Sequence, residues 1–156
     1  MATFLLNEWF WADCSGERGE GPQREAVRLL IAFVEGADRI VFVRGCPAER
    51  KFWALCRNDR SKIEREICRA FKLNILYSTN CIVLDADQLP PLPPELEAEV
   101  KADDRYLVQA QIAVTDCIVI TSDGPLLATL QANGRPAKHR DDFLLEYFSN
   151  KAGQSE

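Results

Sequence analysis

Apolar positions along this chain form short solid runs that alternate with longer striped segments. "TFLL" (3–6), "RIVFV" (39–43), "CIVLD" (81–85) and "CIVIT" (117–121) are solid runs of strand length. Runs without polar alternation suit strands covered on both faces, as inside parallel sheets. Between the first two, Ala26, Leu29, Leu30, Phe33 and Val34 recur at i, i+3, i+4, i+7 and i+8, the stripe of an amphipathic helix. "CSGERGEGPQ" (14–23) ahead of it reads as a Gly-rich loop, and Gly36 suits the helix end. Pro47 opens a helix through "AERKFWALC". "SKIEREICRAF" is another, with Ser61 and Glu64 in capping-box spacing. After a proline-rich connector at 90–94, helices are predicted from about Asp104 to Val114, through "GPLLATLQAN", and through "RDDFLLEYF". Strands alternating with helices predict an α/β domain over 1–150, three layers (α/β/α) around a mainly parallel sheet, with a disordered tail at 151–156.

The segment "DDRYLVQAQIAVTDCIVITSD" (103–123) begins and ends on carboxylates. Eleven helical residues advance about 16 Å. Five strand residues return about 16 Å. Asp104 and Asp123 are therefore predicted on one edge, the carboxyl edge of the parallel strands, where open α/β sheets bind ligands. Asn7 and Glu8 follow the first strand and Glu49 follows the second, which adds oxygen-bearing side chains to that edge. Such a set suits a hard cation, Mg²⁺ or Mn²⁺, able to polarise a phosphodiester. Each residue also has a plain structural use: Asp103 and Asp104 as helix starters, Asp123 as a turn or cap, Glu49 as a favourable charge at a helix N-terminus.

Composition narrows the field. The chain has 156 residues, 47% hydrophobic and 28% charged, which describes a globular domain. No apolar run approaches the roughly 20 residues that span a bilayer. The start "MATFLLNEWFW" lacks the basic region of a signal peptide, and a cytoplasmic location is expected. The net charge of −5 argues against indiscriminate nucleic-acid binding. It hides an asymmetry: Arg44–Lys72 carries nine Lys/Arg against four Asp/Glu, and Asp85–Asp104 carries seven Asp/Glu against Lys101 alone. Two solvated faces explain this, as does a basic phosphate-binding surface beside an acidic metal pocket.

Six cysteines without a CxxC pair and a single histidine, His139, make a zinc site improbable. Cys68 and Cys117 lie in apolar surroundings and read as buried thiols. Trp9, Phe10 and Trp11 are expected to pack under the Gly-rich loop, with base stacking as their functional alternative. No histidine is spaced for a nucleophilic triad, and "GERGEG" lacks the Lys-Ser/Thr ending of a phosphate-binding loop.

The segment "DDRYLVQAQIA" followed by "CIVITSD" resembles the PIN-domain family, which includes VapC-type toxin ribonucleases. Members carry an Asp opening a small-residue helix and an apolar strand ending in Thr-x-Asp, positions held here by Thr121 and Asp123. "FLLNEWFW" stands in place of the family's first strand and departs from it, since Asn7 occupies the position of an Asp. The resemblance implies a metal-dependent endoribonuclease. Asp104 and Asp123 would serve as metal and water-positioning residues, and Asn7 as a neutral ligand. Glu49 would be the helical acid, with Glu64 and Glu66 behind it. It further implies RNA and an antitoxin-like protein as partners. The rival readings are a degenerate, non-catalytic PIN fold that binds RNA or protein, and an interaction protein whose charge asymmetry serves self-association as a homodimer.

Overall fold

A computed structural model describes residues 1–57 and 59–154. Five strands form one sheet: β1 (Thr3–Leu6), β2 (Arg39–Arg44), β3 (Cys81–Asp85), β4 (Cys117–Thr121) and β5 (Ala137–His139). The order is β3-β2-β1-β4-β5 and every pairing is parallel. Helices flank this sheet, so the architecture is the three-layer α/β/α arrangement that the alternation predicts. They are α1 (Trp9–Cys14), α2 (Glu20–Glu35), α3 (Pro47–Leu55), α4 (Lys62–Phe71), α5 (Pro94–Glu99), α6 (Arg105–Ala113), α7 (Gly124–Ala132) and α8 (Arg140–Gln154).

Register sorts the core into two faces. Phe4 pairs with Ile40 and Ile118. Because side chains alternate along a strand, Phe4, Ile40 and Phe42 point to one face. Phe4 meets Phe33 of α2 and Phe143 and Tyr147 of α8, and Phe42 meets Phe52 of α3 and Phe71 of α4. Leu5 and Val119 point to the other face, which α6 and α7 cover. Asn7 keeps the parity of Leu5, so it too faces α6. That parity brings its side chain to the start of α6.

Several elements differ from the sequence expectation. Trp9–Cys14 is a short helix buried on all sides, with no apolar stripe to announce it. Trp9, Phe10 and Trp11 are at most 5% exposed and belong to the core. The predicted Gly-rich loop is shorter, because α2 already begins at Glu20. Lys72–Leu76 extends α4 as a wide π turn. β5 has three residues, two of them polar, too few for a periodic signal. Lys151–Gln154 continue α8 where a tail was expected, while Ser155 and Glu156 lie outside the described residues.

Cys68 is not a free thiol. It forms a disulfide with Cys56, across Cα atoms 5.6 Å apart, and so ties the end of α3 to α4. The other four cysteines are free. Burial pushes the Cys117 thiol up to about 12, so its reactive thiolate is scarce near neutral pH. Thiol titration in denaturant should find four thiols in protein purified without reductant, and six after reduction. A loop of this length should contribute about 3 kcal/mol to stability, so reductant should lower the urea midpoint accordingly. Six thiols before reduction would contradict the pairing.

Candidate functional site

The strand order reverses at β1: β2 and β3 are added on one side, β4 and β5 on the other. A crevice opens beyond the carboxyl ends of strands at such a reversal, and open α/β sheets bind ligands there. Asn7 and Thr121 sit at this point. The Asn7 N–H donates to the Ile120 carbonyl at 3.1 Å and extends the β1–β4 ladder by one residue. The chain then turns into α1.

Thr121 is fully buried and works as a clamp. Its Oγ1 accepts from Asn7 Nδ2 at 3.3 Å and from the Asp123 N–H at 3.1 Å. Asn7 Oδ1 accepts from the Glu8 N–H at 2.8 Å and from the Tyr106 hydroxyl at 3.4 Å. The carboxamide is therefore held on both of its polar atoms. Asp123 caps α7, with Oδ1 accepting the Leu126 N–H at 3.1 Å, and this uses one of its two oxygens. Asp104 occupies the cap position of α6 but makes no capping hydrogen bond. The capping role that its sequence context allows is not the one it fills.

Electrostatics identify its neighbours. Burial holds the Asp104 carboxyl above its ordinary value, and the negative charges of Asp123 and Glu8 raise it further, with Lys101 opposing. The charges of Asp123 and Glu8 thus reach Asp104 at the sheet edge. Tyr106 is buried beside them, and its hydroxyl is raised well above the ordinary range by burial first, then by Cys46, Glu8 and Asp104. It stays a neutral donor toward Asn7.

The structure brings together Asp104, Asp123 and Asn7 from the residues singled out in the sequence. Glu49 Oε1 accepts the Gly45 N–H at 3.0 Å, closing the turn into α3, and its side chain lines the same small cavity as Tyr106. Glu64 is engaged with Ser61 and Arg60, and Glu66 stands exposed on α4. The third carboxylate is Glu8, which a continued strand would have turned away. The strand instead stops at Leu6, and Glu8 becomes the residue that opens α1. Lys51 approaches it at 4.0 Å. Glu8 was named for the edge because it follows β1, whereas Tyr106, inside α6, carried no signal of its own. His139 closes β5, and its Nδ1 accepts the Asp141 N–H at 3.2 Å.

The all-oxygen donor set suits a hard cation, and a raised carboxyl among like charges is what such an ion would relieve. Among the described residues, no three His, Cys, Asp or Glu side chains are grouped so as to hold a metal by themselves. Any ion held here would take one or two carboxylates and complete its shell with water. Fold and site together describe a parallel α/β protein with carboxylates at the carboxyl edge of its strand-order reversal. The chain matches no family model, and no curated protein matches it in sequence. No helix among the described residues is long and apolar enough to cross a membrane.

The raised Asp104 carboxyl has a pH consequence. The fold holds this proton more tightly than the unfolded chain does. The contribution is present below the ordinary carboxylate range and declines as pH rises through the folded value. Asp104→Asn should therefore raise the Tm of metal-free protein near neutral pH, by on the order of 1–3 °C. The gain should vanish when melting is followed at about pH 3, where both states are protonated. An equal gain at both pH values would place the cause outside ionisation.

Proposed function

We propose that this protein is a PIN-type, divalent-metal-dependent endoribonuclease acting at the crevice between β1 and β4. The observation that carries the reading is the Asp104 carboxyl at the strand-order reversal, free of any capping duty and raised by burial and by the charges of Asp123 and Glu8. The resemblance of "DDRYLVQAQIA" and "CIVITSD" to PIN motifs supports it. Asp104 and Asp123 would hold Mg²⁺ or Mn²⁺, which supplies Lewis acidity toward a phosphodiester. Thr121 fixes Asp123 and Asn7 relative to each other. Glu8 would supply the remaining carboxylate and accept a proton from an attacking water. Tyr106 holds Asn7 from the α6 side through its hydroxyl.

One observation favours a second reading, a PIN-like module that binds RNA or protein without cutting. Asn7 brings no charge, and its Oδ1 already accepts two hydrogen bonds. Cleavage of a mixed single-stranded RNA pool in Mn²⁺ separates the two. The nuclease reading expects metal-dependent fragments from wild type and a loss of about 100-fold or more in Asp104→Asn, in line with removal of one charge-stabilising group. Equal fragments from both proteins, or none from wild type, would refute it.

A further inference from the structure

The cations of 44–72 are not spread evenly around the helices that carry them. α3 buries Ala48, Phe52 and Leu55, and its opposite side carries Arg50 and Trp53. α4 buries Ile67, Cys68 and Phe71, and its opposite side carries Arg65, Arg69 and, one turn on, Lys72, spaced i, i+4, i+7. A cation–π contact, Lys72 Nζ 4.9 Å from the Trp53 ring centre, joins the two outer sides, and the Cys56–Cys68 disulfide ties the helices together on the buried side. They also fix the helices as antiparallel, since 56 meets 68 and 53 meets 72.

That surface is short of acid. Asp59 pairs with Arg57, Glu64 is turned to Ser61 and Arg60, and Glu66 lies toward α2. Arg50, Arg65 and Arg69 are exposed and make no ion pair among the described residues. The cluster stands on a chain of net charge −5, so it is a local field and not a by-product of basic composition. Trp53 is 44% exposed, and Tyr77 beyond the π turn is 70% exposed. The surface reaches the carboxylate-bearing sheet edge through α3, because Lys51, next to Arg50, lies 4.0 Å from Glu8.

We propose that the outer surface of the α3–α4 pair is a binding track for single-stranded RNA that leads to the crevice. Arg50, Arg65, Arg69 and Lys72 meet phosphates, and Trp53 stacks on a base. Cations beside exposed aromatic rings are how single strands are held without sequence preference. A duplex is a poor fit, because its base faces are already stacked and give Trp53 nothing to cover. The choice of RNA rests on the proposed nuclease function; the track itself rests on charge and exposure.

The test is anisotropy of a fluorescein-labelled oligouridine of about 12 nucleotides, a single-strand site size. Measuring in EDTA prevents metal-dependent cleavage. Wild type should bind and lose affinity steeply between about 50 and 200 mM salt. Arg69→Glu should bind about tenfold more weakly, with a log–log salt slope shallower by about 0.7 or more. Trp53→Ala should also lose about tenfold, with the slope unchanged. No binding by wild type, unchanged binding by both track variants, or a preference for duplex RNA or for phosphatidylserine vesicles would overturn the proposal. Binding with this pattern but without cleavage in Mn²⁺ would sink the nuclease reading and leave the track. Cleavage unaffected by either track variant would sink the track and leave the nuclease.

Discussion

Arg140→Ala should destabilise the protein by about 3–5 kcal/mol, the cost of stranding a buried charge. Arg140 is 4% exposed, and its partner Asp13 is fully buried. Nε donates to Asp13 Oδ2 and Nη1 to Asp141 Oδ1, both at 2.7 Å, and Glu25 lies 3.6 Å from Nη2. Burial works against the guanidinium charge, but the bonds to Asp13 and Asp141 more than offset it. Burial likewise pushes the Asp13 carboxyl up, and Arg140 pulls it back. Without Arg140, Asp13 keeps only Arg18 at 3.5 Å. A loss of this size should lower Tm by about 10–15 °C for a chain of this length. The double variant Asp13→Leu/Arg140→Met should recover most of it, because an apolar pair of similar volume leaves no charge unpaired. Urea denaturation of the three proteins checks both statements. A loss under about 1 kcal/mol in the single variant would mean that the pair is solvated. The same pair has a bearing on the site. It pins the start of α8 to the end of α1, while the Trp9 indole donates to the Ile120 carbonyl at 2.8 Å. Glu8 hangs on the front of that pinned helix, so Arg140→Ala should disturb the crevice as well as the core.

Asn7→Asp should tighten Mn²⁺ binding by about tenfold or more and increase RNA cleavage. Opposite charges about 4 Å apart near a protein surface attract by about 4 kcal/mol, and a divalent ion doubles the charge product. Part of that is returned by repulsion from Asp104, Asp123 and Glu8, which is why the expected gain is nearer 1.4 kcal/mol, one factor of ten. The fold accepts the change. Aspartate can keep the acceptor role toward the Glu8 N–H and Tyr106 hydroxyl, and the Thr121 hydroxyl can turn from acceptor to donor. Metal-free Asn7→Asp should be less stable than wild type by about 1 kcal/mol, from the added like charge. Paired calorimetry and cleavage of single-stranded RNA provide the check. Tighter Mn²⁺ binding without activity would favour the non-catalytic module. No gain in either would mean that Asn7 does not stand at a metal position.

Four of the five strands were legible because they are solid apolar runs, and a sheet covered on both faces demands that pattern. β5 was not legible: "AKH" carries polar side chains at the sheet's edge, where coverage is thin. α1 was hidden for the opposite reason, since "WFWADC" is buried all round and has no polar side from which to read a period. Asp104 and Asp123 could be placed on one edge from the lengths of α6 and β4 alone. Glu8 was assigned to that edge because it follows β1, but the direction of its side chain depends on the strand ending at Leu6. Glu49 follows β2 as Asp123 follows β4, and one of its carboxylate oxygens closes the turn into α3 through the Gly45 N–H. The Cys56–Cys68 pair spans two helices whose antiparallel packing no local pattern discloses.

The central claim is that the carboxylates at the β1–β4 reversal form one hard-cation site. Calorimetric titration of Mn²⁺ into metal-free wild type and Asp104→Asn tests it most directly, with circular dichroism confirming that both are folded. The account predicts a single site per chain in wild type, weakened by about tenfold or more in Asp104→Asn. Identical isotherms for the two proteins, or no heat from wild type at millimolar Mn²⁺, would contradict it.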